Sequence, residues 1–138
     1  MLDSKRAFYR GLFRVAAVYD LILGFVFTFF GGAAYGALGI EDQMPAGGYV
    51  PLLGAFILVL GTAYLLISRA DLPRNRDLIL VGTLFKLAFS SVAIAFWVTG
   101  RIPHVAFGFF GLADLVFFAL MVECLLRLRA EQAQPPQR

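Results

Sequence analysis

Residues 78–100, LILVGTLFKLAFSSVAIAFWVTG, form an apolar run long enough to cross a bilayer, with Lys86 near its middle. About 20 residues in helical form span the hydrocarbon layer of a membrane. A lysine at that depth costs roughly 2.5–3.5 kcal/mol on insertion scales, so it faces a bundle interior or water and has a partner. Two carboxylates, Asp20 and Asp114, sit at similar depth in other apolar runs. The fold therefore has to take three charged side chains out of lipid together, which a bundle of helices does and a lone span does not.

The composition agrees. The chain has 138 residues, 60% of them hydrophobic, with 15 Phe and a mean hydropathy of +0.80. A soluble domain of this size has too little interior to hide so much apolar surface, which places the chain in the membrane class as one compact domain. The single cysteine, Cys124, rules out an internal disulfide. It is expected to be a reduced thiol that faces lipid or packs near the end of a span. The net charge of +3 and pI near 9.4 do not point to nucleic acid, because the basic residues border apolar runs, the pattern that encodes membrane topology.

In chain order, residues 1–11 form a short basic lead. A first span follows over about residues 12–36. The small residues of GGAAYGA suit a signal peptidase, but this apolar region is far longer than a signal core and carries Asp20, so cleavage is not expected. GIEDQMPAGGY, residues 39–49, is a polar connection broken by Pro45 and a glycine pair. A second span covers about 50–68, with Pro51 suited to a first helical turn. SRADLPRNRD, residues 68–77, is a tight basic turn. The third span is 78–100, GRIPH is the next turn, and the fourth span covers about 105–126. Residues 127–138 form a polar tail, read as disordered, with a Pro pair near its end.

Of the twelve Lys and Arg, Arg101 falls in an outer connection and Lys86 inside the membrane; the others lie on one side of this arrangement. The positive-inside rule then puts both termini in the cytoplasm. Tyr35, Tyr49 and Trp97 fall near the outer interface and Tyr9 near the inner one, as aromatic belts do. The expected fold class is an all-α membrane protein, an antiparallel bundle of four transmembrane helices.

Membrane helices pack through small and polar residues. Gly82, Thr83, Lys86 and Ser90 share one helical stripe, with Val81, Leu84, Phe85 and Val92 mostly away from it. Ala16, Ala17, Asp20, Gly24, Thr28 and Gly31 share a face on the first span, as do Gly54, Gly61 and Ser68 more loosely on the second. On the fourth, Gly111 and Asp114 align with Phe118 and Met121. Each midspan charge thus lies on its helix's small-residue face. At 1.5 Å per residue the three charges fall within roughly 6 Å of depth, a gap a lysine stem can bridge. Tyr19 and Tyr64 are deep enough to hydrogen-bond into the same layer. The candidate intramembrane cluster is Lys86, Asp20, Asp114, Ser90, Tyr19 and Tyr64.

Two readings of this cluster stay open. It is a structural ion-pair network that fixes helix register, or it relays a proton or ion or anchors the polar group of a ligand. Glu123 lies on the opposite face of its helix from Asp114 and is expected to pair with Arg127 at i,i+4. His104, the one histidine, has no second His or Cys at ligand spacing, so it is read as an interfacial residue and no metal is expected. GAAYG, Gly32 to Gly36, matches the small-xxx-small contact pattern and is read as packing. No nucleophile–His–Asp arrangement, phosphate loop or HExxH motif is present, and the loops are too short for a catalytic domain. No catalytic residue is assigned.

The segments RVAAVYDLILGF, LGTAYLLISRADLPRNRDLILVG, FKLAF, GRIPH and GLADLVFFAL resemble small bacterial four-helix membrane proteins of the DoxX-like group, over roughly residues 10–128. The resemblance implies a fold and a bacterial inner-membrane location, with associations that include quinone-linked redox complexes. It carries over no catalytic residue. Small multidrug transporters share the size and a first-span carboxylate, but the residues around Asp20 do not match their signature. The leading expectation is a non-enzymatic accessory or structural subunit of a larger membrane complex, in contact with lipid and with other subunits or further copies of itself. The alternatives are a proton-coupled homo-oligomeric transporter or channel and a quinone-linked redox component. No cofactor is assigned beyond a quinone or lipid.

Overall fold

The computed structural model describes residues 3–133. Four helices account for most of them: α1 (Asp3–Ala37), α2 (Tyr49–Arg69), α3 (Arg76–Val98) and α4 (Val105–Gln132). All four are long and apolar enough to cross a membrane. The chain is a small multi-pass membrane protein.

The helices pack as two hairpins, α1 with α2 and α3 with α4, and the two hairpins touch each other far less extensively. Within the first hairpin the backbones come together at Gly24 and Gly54. A Cβ on Gly54 would stand 2.5 Å from the Thr28 backbone nitrogen, and one on Gly24 would stand 2.6 Å from that of Leu58. Only hydrogen fits there, and in lipid, where burial of apolar surface gives no drive between helices, such close approach is what holds them. Away from the crossing, Val15, Val18, Ile22, Phe25 and Phe29 form an exposed stripe at steps of three and four on α1. In a multi-pass protein that stripe faces lipid.

Helix ends follow from local chemistry. Gly39 and Gly100 have positive φ (70° and 68°). Behind them Ile40 N–H donates to Tyr35 O and Gly39 N–H to Gly36 O, and Arg101 N–H donates to Phe96 O and Gly100 N–H to Trp97 O. Both ends of helix are thus Schellman caps, which require a residue at ease in the left-handed region. His104 caps the start of α4, its Nδ1 accepting from Ala106 N–H at 3.2 Å. This is a positioning role that sequence reading did not assign to the one histidine.

Two helices outrun the membrane thickness. At 1.5 Å per residue, α1 is about 52 Å long and its N-terminal turns extend beyond a 30 Å hydrocarbon layer. Residues 127–132, read above as the start of a disordered tail, are the last turns of α4. They are held by the expected i,i+4 pair of Glu123 with Arg127 at 2.6 Å and by two ties that local composition does not reveal, Arg6 with Glu131 at 3.3 Å and Arg76 Nη1 donating to Gln132 at 3.1 Å. Residues 134–138, including the Pro pair of the tail, and residues 1–2 of the basic lead lie outside the described residues. The backbone of α1 departs from helical geometry at Phe30 (φ −130°, ψ 23°), next to the Gly31–Gly32 pair, which gives the helix little side-chain support at that point.

Tyr9 and Tyr35, expected near the two interfaces, are buried in the bundle, where neighbouring helices cover both rings. In the GAAYG stretch Gly32 meets no neighbour within 4 Å and Gly36 faces the Glu41 side chain, so the two glycines make no helix–helix contact; Tyr35 between them packs on Phe107 of α4. Of the two alternatives for Cys124 the structure shows the packed one: it is fully buried among core residues that include Tyr9 and Leu128.

Candidate functional site

The buried stripes predicted by periodicity converge on one layer of the bundle. Asp20 from α1, Lys86 from α3 and Asp114 from α4 are 2%, 0% and 3% exposed. Lys86 Nζ donates to Asp20 Oδ1 at 2.6 Å and to Asp114 Oδ1 at 2.7 Å. One ammonium thus ties α3 to its hairpin partner α4 and, across the looser interface, to α1. The rings of Tyr19, Phe117 and Tyr64 place their centroids 5.1, 5.5 and 5.6 Å from Nζ, close enough for the electron-rich ring faces to attract the cation.

The remaining candidates are near the triad without bonding to it. Tyr64 is fully buried, and its hydroxyl donates to Gly82 O at 2.7 Å, a second tie between the hairpins. The ring lies so close to α3 that a Cβ on Gly82 would meet it at 2.5 Å. Tyr19 donates to Phe110 O at 3.5 Å, joining α1 to α4. Ser90 is buried but donates to Leu87 O in its own helix. The two tyrosines and the serine therefore satisfy backbone carbonyls and leave the carboxylates to Lys86. As a result Asp20 Oδ2, though buried, has no hydrogen-bond partner among the described residues.

The triad separates two apolar clusters. One holds Tyr9, Phe13, Tyr64, Ile67, Ile79, Met121 and Leu128, in the half that carries the chain ends. The other holds Phe27, Tyr35, Ile40, Val50 and Ile57. In this second half the helices leave a cavity of about 80 Å³ with Asp20 and Asp114 in its wall. The other lining residues are apolar or aromatic and come from all four helices: Tyr19 and Phe27 on α1, Leu53 on α2, Phe85 and Phe89 on α3, Phe107 and Phe110 on α4. Phe85 was assigned above to the face away from the polar stripe. It is instead half-buried and part of this wall, since a long side chain reaches around its helix toward unfilled space. Leu53, 43% exposed, is the most open part of the wall.

The cavity was not visible from sequence. Its signal, a cluster of large aromatics in three spans, is the same signal that lipid-facing phenylalanines give. Among the described residues no group of His, Cys, Asp and Glu is arranged to hold a metal ion. Comparison of the chain with protein-family models, with curated proteins and with solved structures found no match.

Proposed function

We propose that this protein is a non-enzymatic accessory subunit of a larger inner-membrane assembly and that its bundle holds a small lipophilic molecule, a quinone or a lipid, between the two hairpins. The observation that carries this reading is the 80 Å³ cavity, with its aromatic walls and buried carboxylates. A bundle built only to brace neighbouring subunits would close that space with side chains, since protein interiors pack to near-crystalline density. Very short turns and the long apolar stripes support a role inside the membrane plane, and the Lys and Arg distribution supports cytoplasmic termini. In the quinone form of the reading, the protein would work as DoxX-like proteins do, beside a redox partner, with the aromatic wall against the quinone ring.

The test is the native mass of the protein extracted from its own membrane in mild detergent, with organic extraction of the same sample. Other chains in a particle well above a small multiple of 15.2 kDa, together with a stoichiometric small molecule, are the expected result. A homo-oligomer with nothing bound overturns it.

The unpartnered Asp20 Oδ2 favours a second reading, proton-coupled transport by a homo-oligomer, because a carboxylate oxygen without a donor is a place to load a proton. Liposomes carrying the protein would then show a flux that Asp20→Asn abolishes. A flux no greater than that of empty liposomes removes this alternative.

A further inference from the structure

We propose that the cavity selects a lipophilic ammonium: its charged head pairs with Asp20, and its aromatic or alkyl body lies among the phenylalanines. This inference rests on the reading that the cavity is a ligand site and replaces the quinone of that reading with a lipophilic molecule that carries an ammonium head.

The first argument is charge. Two carboxyls face one ammonium in the triad, so with all three ionised the layer carries one excess negative charge in a bilayer interior. An uncompensated charge there is neutralised by a proton or by a cation. The second argument is the unused acceptor. Lys86 takes the Oδ1 atoms of both aspartates, Tyr19 and Tyr64 give their protons to backbone carbonyls, and Asp20 Oδ2 is left buried with no donor. An incoming N–H supplies what is missing, whereas a quinone or ketone, which only accepts, does not.

The third argument is the wall. A proton would neutralise Asp20 without any cavity, but here Asp20 is one of the residues lining about 80 Å³ of open space, enough for an ammonium head with its first carbons. Phe27, Phe85, Phe107 and Phe110 surround that space with ring surface. Aromatic walls beside a carboxylate are the arrangement that recognises ammonium ions, through ring attraction and ion pairing together. Such a molecule would enter from the membrane past Leu53, the exposed part of the wall.

The experiment uses the purified full chain in lipid nanodiscs, with empty nanodiscs as the blank for partitioning. Titration calorimetry compares 2-phenylethylammonium with the neutral 2-phenylethanol of nearly the same shape. The expected result is saturable one-to-one binding of the ammonium, at least tenfold tighter than the alcohol, and loss of that preference in Asp20→Asn. Leu53→Trp leaves the triad alone and narrows the cavity from a partly exposed position. It is expected to weaken both compounds, which keeps the test decisive if Asp20→Asn does not fold. Equal binding of ammonium and alcohol overturns the inference but keeps the cavity as a ligand site. Binding of neither, with Leu53→Trp indistinguishable from the parent, overturns both.

Discussion

Lys86 combines full burial with full ion pairing, and that combination sets the consequences of changing it. Replacing a buried pair or triad as a whole by apolar residues is often neutral, whereas removing one member strands the others. Lys86→Met would leave Asp20 and Asp114 facing each other without a cation, and the expected loss is about 3–5 kcal/mol, read as a fall in the thermal midpoint of the detergent-solubilised protein. Tyr64→Phe keeps the packed ring and removes one hydrogen bond to Gly82 O, so the same assay should register about 1 kcal/mol. By contrast, the Glu123–Arg127 pair is close in distance but solvated, with side chains 46% and 40% exposed. Glu123→Gln should leave the midpoint within experimental scatter. Burial, rather than the distance between charges, separates these outcomes.

At the scale of elements, the first hairpin closes to backbone distance at Gly24 and Gly54. The nearest atoms that a larger residue would meet there, Leu58 N and Thr28 N, belong to the backbone and cannot rotate away, and the Leu58 and Thr28 side chains crowd the same space. Gly54→Leu should therefore force the helices apart and cost about 1–3 kcal/mol or more, as overpacking does. It should disturb the cavity too, since Leu53 and Ile57 flank it on the same helix. The end of α3 offers a milder test. Gly100 holds φ 68° in its Schellman cap, and Gly100→Ala should cost about 1 kcal/mol while leaving the site intact. A large loss of ligand binding in that variant would mean that the α3–α4 turn, and not the hairpin interface, positions the wall.

For the whole molecule, the two hairpins are each closely packed and meet one another less extensively. Their mutual interface combines the apolar cluster around Phe13, Tyr64, Ile79 and Met121 with polar ties: Lys86 to Asp20, Tyr64 to Gly82 O, Tyr19 to Phe110 O and, at the chain ends, Arg6 to Glu131. An apolar cavity lies along the same interface. The seam between hairpins is therefore the place where the bundle should open first. In Lys86→Met, amide hydrogen exchange should rise along the facing sides of α1 and α4 and of α2 and α3, with the Gly24–Gly54 crossing still protected. Uniform acceleration through all four helices would show instead that the bundle opens as one unit.

The sequence by itself determined the four apolar helices, the buried stripe on each, and the common depth of Asp20, Lys86 and Asp114. These depend on hydropathy and on the 3.6-residue period, both local properties of a chain in lipid. What it could not determine was any choice among atoms on neighbouring helices. Nothing local says that Tyr19 and Tyr64 give their protons to carbonyls, that Asp20 Oδ2 is left over, that Phe85 and Tyr35 turn toward a cavity, or that Gly24 and Gly54 make the close crossing while Gly32 and Gly36 do not. Nor does composition reveal that Arg6 and Arg76 reach across to extend α4 to Gln132. Within a membrane an apolar side chain is as well solvated by lipid as by protein, so hydropathy cannot choose between them. Close packing and the pairing of polar groups make that choice, and both exist only once the helices have met.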